Sequence, residues 1–117
     1  MQNYKIKDYT VQEFSEIIDV NHSNIYRYLR EEKGDIDKVL EKTFKHKFKE
    51  DISDKYSVIE NYYLIKFMKI KRKKITLNNK NFWKLKEEFN HICYLYKLRA
   101  HRIEKIWDNI MSIVYFK

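Results

Sequence analysis

A chain of 117 residues with no proline and one glycine, Gly34, has few ways to reverse direction sharply. Sandwiches and barrels turn repeatedly on residues that supply positive or fixed φ, chiefly Gly and Pro. This chain must instead stop and restart helices with Asn, Asp and Ser as caps. A mainly α fold is therefore expected. The length fits one domain, or a small domain with an extension. Hydrophobic residues make up 44% and aromatics 16%, enough apolar surface for a packed core.

The net charge is +8, and it is unevenly spread. Residues 61–86 hold nine Lys or Arg and no Asp or Glu, so the rest of the chain is close to neutral. So local a field points to phosphates, on nucleic acid or on an anionic membrane. The alternative is a solvated lysine-rich face. Lys66, Lys69, Lys71, Arg72, Lys73 and Lys74 are the expected phosphate contacts, together with Thr10. The single cysteine, Cys93, cannot form an internal disulfide, which favours a reducing, cytoplasmic setting. MQNYKIKDYT contains no apolar run of the signal-peptide kind. Nor does any stretch approach the roughly 18 apolar residues of a membrane span.

Residues 1–9 alternate and predict a short strand or arm. Thr10 with Glu13 reads as a capping box, followed by an apolar face of Phe14, Ile17 and Ile18. Asp19 ends that helix and Asn21 caps the next, with Ile25, Tyr28 and Leu29 inward. A break at Glu31–Gly34 precedes a third helix from Asp35, with Ile36, Val39, Leu40, Phe44 and Phe48 in stripe. Residues 52–77 are ambiguous. Tyr56, Ile59, Tyr63, Phe67 and Ile70 fit a helix, yet LIKFMKIKRKKITL is rich in β-formers around a basic turn. The reading favoured is helix to about Tyr63 and strand character beyond it, with a β-hairpin possible over 64–77. From Phe82 to Ile113 the heptad positions are apolar (Phe82, Leu85, Phe89, Ile92, Tyr96, Ile103, Ile106, Ile110) except at Arg99. That seam predicts a long dimerisation helix, a hairpin broken near Ala100-His101, or two core helices. Three segments result: a head over 1–51, a basic connector or wing over 52–81, and an amphipathic helical dimerisation or core segment over 82–117. The echo of Asn21-His22…Leu29-Arg30 in Asn90-His91…Leu98-Arg99 raises the possibility of an internal repeat.

The segment TVQEFSEIIDVNHSNIYRYLR carries the functional expectation. A helix-turn-helix needs a small residue in the first helix, a left-handed turn residue, an apolar plug and apolar anchors in the second helix. Ser15, Asp19, Val20, Ile25 and Tyr28 or Leu29 fill those places at the right spacing. The outer face of the second helix is then Asn21, His22, Ser23, Asn24, Tyr26, Arg27 and Arg30. Arg pairs bidentately with guanine and Asn with adenine, and Ser or His reaches base edges or phosphate. These residues are the expected base readers of double-stranded DNA.

On those residues YTVQEFSEIIDVNHSNIYRYLRE resembles the head of MerR-family transcription regulators. Tyr9, Thr10, Val11, Glu13, Phe14, Ser15, Val20, Ile25 and Tyr28 carry the likeness. Asp19 stands where the family has Gly, and Tyr26-Arg27 inverts its Arg-Tyr. The resemblance implies a winged helix-turn-helix and a long helix that dimerises two heads over a pseudo-palindrome. The family's Gly-Leu-Leu and Pro-Arg wing signature is missing, and its metal-sensing members carry several cysteines. NIYRYLREEKGDIDKVLEKTF is also similar to a run in TetR-type regulators. Small basic proteins with MerR-like heads also serve as DNA-processing accessory factors on conjugative plasmids.

Other chemistry is weaker. His91, Cys93 and His101 are too few and too loosely spaced for a zinc site. No tyrosine has the Arg, His or metal neighbours of a nucleophile. Neither a phosphate loop nor a catalytic triad is visible. No enzyme activity, cofactor, metal or small-molecule ligand is expected. The expected function is sequence-specific binding of duplex DNA, of transcription-regulator type, by a homodimer or an internal pseudo-dimer. Accessory roles in plasmid transfer or replication are the alternative. A membrane-surface protein is a further alternative, needing a helix with basic and apolar faces around residues 62–74.

Overall fold

The computed structural model describes residues 5–72 and 80–115. They form a mainly helical chain with one small antiparallel hairpin, in two compact units, 1–53 and 54–117.

In the first unit β1 (Lys5–Ile6) pairs with β2 (Tyr9–Thr10), Ile6 opposite Tyr9. Then follow α1 (Val11–Ile18), α2 (His22–Glu31) and α3 (Ile36–Phe48). Each helix starts on a polar cap. Thr10 accepts from the Glu13 amide at 3.1 Å, and the Glu13 carboxylate accepts from the Thr10 amide at 3.0 Å. That backbone hydrogen bond first, then the one from the Thr10 hydroxyl, holds the Glu13 carboxyl below the usual carboxylate range. Asp35 caps α3 through the Lys38 amide. Positive φ at Asp19, Lys33, Gly34 and Lys49 ends the helices. Phe14, Ile18, Ile25, Leu29, Val39 and Phe44 make the core, with Ile6 of the hairpin. Buried Thr43 satisfies its hydroxyl by donating to the Val39 carbonyl.

The second unit contains α4 (Lys55–Arg72), α5 (Lys80–Leu95) and α6 (Ala100–Tyr115), with α4 packed mainly on α6. Its centre is aromatic. Phe67 meets Phe82 at 5.3 Å and Trp107 at 5.4 Å between ring centres, and Tyr63 meets Phe89 at 5.3 Å. These edge-on contacts add to simple area burial.

One expectation needs correction here, and two open alternatives are decided. Strand character beyond Tyr63 is absent as far as Arg72, because α4 runs on as helix. Burying Tyr63 and Phe67 on one face requires helical spacing. The small hairpin is at residues 5–10, ahead of α1, and residues 73–77 of the hairpin considered there lie outside the described residues. Of the readings open for the apolar seam from Phe82, the broken pair of core helices is the one found, and the single long helix is not. It breaks at Lys97, a few residues before the expected Ala100-His101, and closes into two helices of one unit. Phe82, Phe89, Ile92, Ile106 and Ile110 are all buried within the chain. The expected internal echo also fails. Asn21 caps a helix, whereas Asn90 lies inside α5, and Leu29 lies inside α2, whereas Leu98 lies in a turn.

A different repeat is real. The α1–α2 and α5–α6 corners share one backbone design. Asp19 and Lys97 are left-handed, at φ 57° and 60°. The next residue, Val20 or Leu98, is a buried plug whose amide donates five residues back, to Ser15 at 3.2 Å and to Cys93 at 3.0 Å. Asn21 and Arg99 then start the next helix by accepting from residues three and four ahead. Ring contacts from Phe82 reach Trp107 and Tyr115 of α6.

Candidate nucleic-acid interface

The candidate site is α2 and the corner that aims it. Ser15 is the small residue of α1, and its hydroxyl donates to the Gln12 carbonyl at 2.7 Å. The Ser15 carbonyl takes both corner amides, from Asp19 and Val20. Asp19 can occupy the left-handed corner because its short polar side chain tolerates that region. It also serves a purpose glycine could not. Lys47 of α3, only 7% exposed, brings its ammonium within 3.8 Å of the Asp19 carboxylate. The Asp19 carboxylate is 88% exposed, so solvent screens this pair and it adds little. The Tyr28 hydroxyl hydrogen-bonds His46 Nδ1 at 2.9 Å, so α3 also holds the underside of α2.

The outer face of α2 is polar and open. Asn21, His22, Ser23, Arg27 and Arg30 are exposed, Tyr26 is 39% exposed and Asn24 is half-buried. The His22 and Tyr26 rings meet edge-on at 6.3 Å. Asn21 is engaged. Its Oδ1 accepts from the Ser23 amide at 2.9 Å and the Ser23 hydroxyl at 2.8 Å. A bidentate pairing of Asn21 with adenine would break this cap, so geometry makes it the residue that starts the helix. Ser23 gives its hydroxyl proton to the same cap, while His22, Asn24, Tyr26, Arg27 and Arg30 keep their side chains outside it.

Arg27 sits in a surface charge chain. Its Nε is 3.6 Å from Glu31, whose other oxygen accepts from Lys42 at 2.7 Å, and Lys42 also meets Glu32 at 2.9 Å. The Lys42 hydrogen bond holds the Glu31 carboxyl below the usual range, and the Glu31 and then Glu32 hydrogen bonds raise the Lys42 amine. These groups are exposed, so Arg27 can exchange Glu31 for another anion at little cost. Lys42 stays behind to neutralise Glu31. Sequence periodicity gave no sign of this chain, because Lys42 lies on a different helix.

The expected phosphate set divides. Thr10 is spent on its cap, its hydroxyl oxygen accepting from the Glu13 amide. Lys66 and Lys69 are exposed on α4, with the Lys66 ammonium 5.3 Å from the Tyr62 ring, and Lys71 is half-buried. Arg72 closes α4, and Lys73 and Lys74 lie outside the described residues. Of the apolar residues of α4 over 62–72, Tyr63 and Phe67 are buried in the core and Ile65 is exposed. No described helix is long and apolar enough to cross a membrane.

Cys93 is buried, and desolvation raises its thiol to about 12. His91 pairs with Glu87 at 3.8 Å, and His101 is exposed in the first turn of α6. Among the described residues no three such side chains gather around a point. Compared with known proteins, the chain matches no family model, no curated protein and no solved structure.

Proposed function

We propose that this chain is a cytoplasmic, sequence-specific DNA-binding protein of transcription-regulator type, which lays α2 in the major groove of duplex DNA. One observation carries the reading. Ile25, Tyr28 and Leu29 bury the inner side of α2, a left-handed corner sets its start, and the outer side is an exposed run of His, Ser, Tyr and Arg. His22, Ser23 and Asn24 sit nearest the helix start and reach deepest. Arg27 and Arg30 suit guanine edges, and Tyr26 suits a base or phosphate. Lys66 and Lys69 supply contacts that hold the backbone without reading sequence. Two copies on a pseudo-palindrome would each present one α2. Their contact must lie outside the buried Phe82–Ile110 seam, which is already used within the chain.

Footprinting across the protein's own gene neighbourhood tests the reading. Protection at a promoter supports regulation, and protection at a transfer or replication origin supports a DNA-processing role. Arg27→Ala should cost about 1–3 kcal/mol at the protected site and little on random DNA. Lys69→Ala should weaken both alike and flatten the salt slope by about one. No protection anywhere, or equal losses for the two variants on both DNAs, would overturn it.

A further inference from the structure

The α4–α5 groove shares Lys66 and Lys69 with the DNA reading but holds an apolar floor that phosphates do not use. It holds about 290 Å³ and is lined by Lys66, Lys69, Ile70, Asn81, Lys84, Leu85 and Glu88. Ile70 and Leu85 make a half-buried apolar floor, and Lys66, Lys69 and Lys84 stand exposed around it. We infer that this groove docks an acidic amphipathic helix from a partner protein, apolar side chains on the floor and carboxylates against the three lysines.

The argument is complementarity of two kinds at once. Among the lining residues three lysines stand against the single carboxylate of Glu88, so the groove favours an anionic occupant. Phosphates of a DNA backbone would use the lysines but gain nothing from Ile70 and Leu85, since they stay hydrated and carry no apolar surface. The space is at the lower bound of small-ligand sites, and it suits one or two side chains rather than a whole cofactor. An amphipathic helix meets both demands, because residues three and four apart share a face. Lys66 and Lys69 are themselves three apart on α4 and present one matching turn of charge.

The test uses the full chain and a fluorescein-labelled peptide of Glu and Leu, with Leu at helical a/d spacing. A second peptide replaces each Leu with Ser. Fluorescence anisotropy should show saturable binding of the first and, at the same salt, at least about tenfold weaker binding of the second. Lys66→Glu with Lys69→Glu should weaken the first peptide about tenfold or more. Lys38→Glu with Lys105→Glu makes the same charge change outside the groove and should cost less than about threefold. Far-UV circular dichroism checks that both variants stay folded, as expected for exposed lysines. Three results overturn the inference: no binding, equal binding of the two peptides, or equal losses in the two double variants.

Discussion

Asp19→Val is the perturbation that bears hardest on the corner. Asp19 sits at φ 57° and ψ 46°. A left-handed backbone costs an ordinary L-residue roughly 1–2 kcal/mol, less for Asp, most for a β-branched side chain, and nothing for Gly. Its pair with Lys47 is 3.8 Å long and Asp19 is 88% exposed, so solvent screening leaves it a few tenths of a kcal/mol. Losing both should destabilise the first unit by about 2 kcal/mol in Asp19→Val. Asp19→Gly relieves the backbone but loosens the unfolded chain and drops the pair, so it should stay within about 0.5 kcal/mol of the parent. Amide hydrogen exchange reads this locally: α1 and α2 amides should exchange about 30-fold faster in the Val variant. Lys97→Val at the second corner, φ 60°, should do the same to the second unit. That unit contains both tryptophans, Trp83 and Trp107, so fluorescence reports it separately. A Val variant as protected as the parent, or a Gly variant as damaged as Val, refutes the argument.

Two further outcomes follow. Thr10→Ala removes one half of the capping box and should cost about 1 kcal/mol, seen as a lower thermal midpoint, with Thr10→Ser near the parent. For Cys93, burial raises the thiol from 9.0 to about 12 in the folded chain. The neutral form is favoured by folding, so its stabilising contribution is intact below pH 9 and lost as pH climbs through about 12. Native protein at pH 8 should leave Cys93 unreactive towards iodoacetamide, whereas urea-unfolded protein reacts, and a native rate close to the unfolded one contradicts the burial.

What the residues disclosed alone was local. The Thr10–Glu13 box, the Asn21 and Asp35 caps, the left-handed Asp19 and the inward stripe of Ile25, Tyr28 and Leu29 all depend on partners within about one helical turn. Those partners are neighbours in the chain, so the pattern can be read before any folding. The polar outer face of α2 followed from the same periodicity. Long-range packing decided the rest. LIKFMKIK has enough β-formers to read as strand, and contacts of Phe67 with Phe82 and Trp107 commit it to helix. The Phe82–Ile113 seam has a spacing that suits a partner helix or the chain's own core equally. The left-handed Lys97 and the buried Leu98 turn it back on itself. Lys47 behind Asp19, His46 under Tyr28 and Lys42 beside Glu31 come from α3, many residues away, and no spacing rule announces them. Periodicity shows that a face needs a partner, and only the folded chain, by bringing distant side chains within contact, settles which one it receives.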